Sequence, residues 1–179
     1  MTQPLKAVAP GLIAQLCPQC AMCCNGVLFK DVELQAGDDP ARLRSLGLPF
    51  AKTRVVKFPQ PCAALEGCHC RIYADRPVRC RSFDCALLQS VAAGATDGAT
   101  ALRVIQRTRK LADEVRRLLR KSGNAEEQLS LSLRFRRTQR RLESLQLDDD
   151  TAEIFGQLTL AVHDLNLRLR QHFYPAAAD

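Results

Sequence analysis

No cysteine lies beyond Cys85, no tryptophan occurs anywhere in the 179 residues, and aromatic residues make up only 5% of the chain. So few aromatics leave no set of stacking platforms of the kind that hold bases in single-stranded nucleic-acid binders. No run approaches the roughly 18 apolar residues of a membrane span, so no membrane partner is expected. The opening MTQPLKAVAPGLIAQL carries Pro4, Pro10 and one early cation, and it has no apolar core of signal-peptide length. This predicts a cytoplasmic chain, in which thiols stay reduced. A Gly-rich nucleotide fingerprint, an H-E-x-x-H pair and a C-x-x-x-C-x-x-C run are all missing, which removes three common signatures of catalysis. Neither an internal repeat nor a low-complexity tract is present.

What the chain does have is nine cysteines, all between Cys17 and Cys85. Four of them form the run Cys17-Pro-Gln-Cys20-Ala-Met-Cys23-Cys24. Thiols gathered at this density serve as a disulfide framework, a redox pair or a soft-metal site. An odd number, a reducing compartment and the vicinal pair Cys23-Cys24, which does not readily bridge to itself, all oppose the framework. Metal ligation remains as the main reading. A C-x-x-C step turns two sulfurs toward one ion, and it occurs in zinc knuckles and iron-sulfur loops alike. Here two steps are fused, but the fourth cysteine and the proline of the bacterial ferredoxin run are not at their expected places. The spacing leaves zinc, iron and an iron-sulfur cluster open.

A second group occupies Cys62, Cys68, Cys70, Cys80 and Cys85. Alternation along an extended Cys68-His69-Cys70 puts both sulfurs on one side and His69 on the other, making His69 an exposed or supporting residue and a ligand only if the chain bends. Arg71, Arg76, Arg79 and Arg81 surround these thiols. They are read either as cations that lower thiol pKa values and offset an anionic centre, or as solubilising surface charges.

The segments CPQCAMCC, PCAALEGCHC and IYADRPVRCRSFDC together resemble the YkgJ-type cysteine-cluster, or CxxCxxCC, family of zinc- or iron-chelating domains. The likeness covers roughly residues 17–85. It implies that Cys17, Cys20, Cys23, Cys24, Cys62, Cys70, Cys80 and Cys85 are the metal-binding cysteines, with Cys68 and His69 as further candidates. Some larger relatives resemble protein lysine methylases, so an iron-sulfur enzyme acting in protein modification is the first alternative to a plain metal-binding protein.

Composition changes near residue 90. Eight of the nine prolines precede it, and the small-residue stretch Ala92–Gly98 suits a connection. Residues 1–90 are expected to form a metal-organised lobe with little regular structure. Within it Val27–Phe29 and Arg54–Phe58 read as short strands, and Asp39 and Pro40 begin a short helix. Residues 98–174 are expected to form three antiparallel helices packed on that lobe, which makes the fold mainly α.

The first helix carries Leu102, Ile105, Ala112, Val115 and Leu119 at helical spacing and stops before Ser122-Gly123. Asn124 with Glu127 is read as the cap of the second, whose apolar face runs Leu131, Phe135, Leu142 and Leu145. Asp150 with Glu153 is read as the cap of the third, followed by Ile154, Leu158, Val162, Leu165 and Leu169. His163 and His172 fall on opposite sides of that helix and do not make a shared site.

Formal charge is +7, with a sequence pI near 9.1. Eight thiolates holding two divalent ions would bring it to about +3. Residues 98–141 hold thirteen Lys or Arg against four Asp or Glu. Such a run serves a nucleic-acid-binding protein, the second alternative, or it is a solvated or protein-docking face; without aromatics the second use is preferred.

Overall fold

The computed structural model describes residues 10–50 and 54–175. The first nine residues and 51–53 of the expected cysteine-rich region lie outside them. The elements are α1 (Pro10–Cys20), β1 (Asp31–Glu33), α2 (Pro40–Ser45), β2 (Lys57–Pro59), β3 (Leu65–Glu66), β4 (His69–Cys70), α3 (Val78–Ser82), α4 (Ala86–Ala92), α5 (Gly98–Lys121), α6 (Leu131–Glu143) and α7 (Asp149–His172). The protein is mainly α, as the sequence indicates.

Two hydrophobic cores organise it. The larger joins Leu16, Met22, Val27 and Leu28 of the first cysteine segment to Ile105, Val115 and Leu119 of α5 and to Leu158, Leu165 and Leu169 of α7. The smaller holds Val32, Leu43, Leu48, Phe58, Ala64 and Ile72. It is served by two antiparallel pairs, β1 with β2 in the register Val32 to Phe58 and β3 with β4 in the register Leu65 to Cys70. Pairs this short are not stable alone and need the packing around them.

The helices begin where side-chain oxygens satisfy backbone donors left open by the first turn. Asp39 accepts from Ala41 N and Arg42 N, and Asp97 accepts from Thr100 N at 2.9 Å. Asp148 accepts from Thr151 N at 2.7 Å, so α7 starts two residues earlier than an Asp150 cap requires.

The second helix departs further from expectation. It starts at Leu131, and Asn124 belongs to the preceding loop. There the Asn124 side-chain and main-chain oxygens accept from Arg134 Nε at 3.0 Å and from an Arg134 terminal nitrogen at 2.9 Å. The buried face of α6 therefore runs Leu131, Arg134, Thr138 and Leu142, while Phe135 is only half-buried and Leu145, past the helix end, is exposed. Val27 and Leu28 are core residues of an irregular segment and not a strand. The strand expected at Arg54–Phe58 is confined to Lys57–Pro59.

Among the described residues no helix is long and apolar enough to cross a membrane.

Candidate metal centre

The last turn of α1 carries Cys17 and Cys20 three residues apart, hence on one face of the helix. The chain then reverses at Ala21, whose φ of 56° is the left-handed conformation that ends many helices. The amides of Cys24 and Asn25 both donate to Ala21 O, at 2.9 and 3.0 Å, and the resulting tight loop presents Cys23 and Cys24. Gly26 fastens this loop to the rest. A β-carbon there, at φ +77°, would stand 3.1 Å from Pro61 Cδ and 3.1 Å from Ser130 Cα, and Gly26 O accepts from Leu131 N at 3.0 Å.

The second cysteine group comes to the same place. Cys62 N donates to Cys24 O at 2.8 Å, joining two segments 38 residues apart in sequence. Cys70 is carried by β4, and Cys80 lies in α3. Asp38 positions α3 by accepting from Val78 N at 2.7 Å, with its other oxygen held by Gln35 N at 2.8 Å. Cys85 is the N-cap residue of α4, and the following amide, Ala86 N, donates to Phe173 O at 3.2 Å, which ties it to the end of α7. All nine cysteines are free.

Each of the two cores has its own thiols. Cys20, Cys23 and Cys85 pack against the larger, and Cys62, Cys70 and Cys80 against the smaller. The electrostatics follow this division in the main, with Cys24 also acting on Cys23 across it. Burial is the main cause that raises Cys17, Cys20 and Cys23 above the ordinary thiol value of 9.0, and mutual repulsion among these and Cys85 adds to it; Cys20 is pushed up to about 12. Burial likewise pushes Cys24 up to about 12 and Cys80 up to about 11, and both feel Cys62 and Cys70 as like charges. Cys62 and Cys85 are raised too, again chiefly by burial.

Two of the four arginines around the second group, Arg71 and Arg76, lower thiols, together with Arg109 from α5, but all lose to burial. Arg76 opposes the rise at Cys17, Cys24 and Cys80, Arg71 at Cys62, and Arg109 at Cys20, each a smaller effect than desolvation. Arg76 is itself fixed against Tyr73, 3.6 Å from the ring centroid, with its Nε donating to Tyr73 O at 2.9 Å. Arg79 and Arg81 are exposed.

Of the two further candidates, Cys68 sits in the turn between β3 and β4, and it is not among the thiols acting most strongly on the others. His69 is exposed and pairs with Glu66 across the hairpin. As they stand, no three His, Cys, Asp or Glu side chains among the described residues form a set that holds an ion.

Sequence reasoning missed the residues that support the loop from α5. Arg109 donates to Gln19 O at 2.6 Å and Arg116 to Asn25 O at 3.3 Å. In the sequence they are two cations in a basic run, and only their spacing of seven residues, two helical turns, marks them as sharing a face.

Comparison with protein families matches residues 16–114 to a model described as "CxxCxxCC: Putative zinc- or iron-chelating domain". The chain belongs to the CxxCxxCC family. The matched segment runs from Leu16 through all nine cysteines into α5, where it includes Arg109 and stops short of Arg116. Comparisons with curated proteins and with solved structures return no match.

Proposed function

We propose that this CxxCxxCC protein chelates zinc or iron through Cys17, Cys20, Cys23, Cys24, Cys62, Cys70, Cys80 and Cys85, and that the bound metal is what holds its small second core in place. The observation that carries the reading is that two cysteine groups, distant in sequence, are joined by the bond from Cys62 N to Cys24 O and carry free, mostly half-buried thiols. A buried thiol repelled by its neighbours is held neutral, and a cation that accepts the thiolate relieves both penalties at once. The donor set suits zinc and iron, since both take all-thiolate shells, and does not suit calcium or magnesium, which take oxygen.

Purification without oxygen followed by elemental analysis tests this. The expected result is zinc or iron retained through dialysis, with protons released when the metal-free, reduced protein is reloaded. Brown protein with visible charge-transfer absorption assigns iron-sulfur, and colourless protein with zinc assigns zinc. Protein that neither retains nor takes up either metal would sink the proposal.

A further inference from the structure

Resting on that reading, we infer that the eight thiols form two separate four-thiolate sites, Cys17, Cys20, Cys23 and Cys85 in one and Cys24, Cys62, Cys70 and Cys80 in the other, each taking a single zinc or iron ion. The division is geometric first. Cys20, Cys23 and Cys85 line the larger core, whereas Cys62, Cys70 and Cys80 line the smaller. Cys17 stands one helical turn before Cys20 on the same face of α1 and joins the first group. Cys24 is tied to the second by the 2.8 Å bond from Cys62 N to its carbonyl oxygen.

Vicinal cysteines explain how one loop serves both. Cys23 packs against the larger core, while the carbonyl oxygen of Cys24 is held by Cys62 N beside the smaller one, so this one hydrogen-bonded turn reaches both groups. Four thiolates complete a closed tetrahedron, and two such sites consume eight of the nine cysteines, leaving Cys68, in the hairpin turn, outside both.

Two tetrathiolate ions each carry a net charge of about −2, and Arg76, acting on Cys17 of one set and on Cys24 and Cys80 of the other, is placed to offset both.

The test is a cobalt(II) titration of the reduced, metal-free full chain, read by the intense visible bands of tetrahedral thiolate coordination. Two equivalents are expected for the wild type. Cys17→Ser/Cys20→Ser and Cys62→Ser/Cys70→Ser should each retain one equivalent with those bands, because each removes two ligands from one set only. X-ray absorption of the zinc- or iron-loaded wild type needs no variant, and it should show sulfur alone at about 2.3 Å with no metal-metal vector. One equivalent in the wild type, loss of both equivalents from a double variant, or a metal-metal vector overturns the two-site inference while leaving chelation intact. Absence of any thiolate-bound metal overturns the chelation reading with it.

Discussion

The thiol environment decides how this protein responds to pH, because burial, and not the surrounding arginines, sets the direction of every resolved shift at the cysteines. In the metal-free, reduced protein the buried thiols keep their protons above the pH at which an unfolded chain gives them up. Between 9.0 and the raised value of about 12 for Cys20, whose segment packs on the larger core, the folded state binds more protons than the unfolded one. Stability must therefore fall as pH rises through that window, and be fully present below it. Denaturant midpoints of the metal-free protein should drop from pH 8.5 to 10.5 by rough expectation from these thiols, whereas metal-loaded protein, already deprotonated at sulfur, should show little of the drop. A flat profile without metal would contradict the burial. Arg134 makes a second point at this scale. In the sequence it is one cation of Arg134-Phe135-Arg136-Arg137, with nothing to distinguish it from its neighbours. In the fold it is 1% exposed and fills two acceptors of Asn124. Arg134→Met keeps the stem and leaves those acceptors unpaired, so it should cost about 2 kcal/mol in chemical denaturation. Arg136→Met at an exposed position should stay within about 0.5 kcal/mol.

Element existence was legible from periodicity, since three apolar stripes after residue 98 correspond to α5, α6 and α7. Boundaries were not, and the reason is chemical: at α7 three successive aspartates are each able to accept from a free amide, and before α6 Asn124 offers the same chemistry without capping a helix. Asp148, Asp149 and Asp150 differ only in which one has extended backbone, a property decided by how Leu145 to Leu147 leave α6 and not by residue type. Helix α7 uses Asp148. Asp148→Ala should therefore lower the thermal midpoint more than Asp150→Ala, and equal effects would show that the helix start frays between the two. At α6 the pattern itself misled, because Arg134 and Thr138 hold core positions that an apolar count passes over. The short strands were legible only in part for a related reason. Val27 and Leu28 have strand-like composition, but their amides serve the cysteine loop, Val27 N donating to Asn25 Oδ1 at 3.2 Å and Leu28 N to Met22 O at 3.1 Å.

At the scale of the molecule, the cysteine-rich and helical halves seen in the composition do not correspond to two independent cores. Leu16, Met22, Val27 and Leu28 belong to the larger core with α5 and α7, and Tyr174 Oη donates to Leu28 O at 3.4 Å from beyond the last helix. The basic face of α5 and α6 is spent to a large extent within the chain. Arg109, Arg116 and Arg141 donate to main-chain oxygens, and Arg117, Arg120 and Arg137 pair with Glu114, Glu127 and Glu126. This arrangement changes what chelation should do. If the whole cysteine-rich half depended on metal, α1 and its loop would melt with the rest. The first segment, however, is held by apolar packing on α5 and by Arg109 and Arg116, whereas residues 31–82 surround a core of six buried apolar residues and strands of two or three residues. Such a core is too small to outweigh the ordering of some fifty residues without ligation. Hydrogen exchange of the full chain after complete metal removal should thus show loss of protection at Val32, Phe58 and Arg71 amides, while those of α5, α7 and the last turn of α1 stay protected. Uniform loss across both cores would mean that metal holds the entire fold. Retained protection at Val32 and Phe58 would mean that the smaller core stands without metal, and that its cysteines are not what stabilises it.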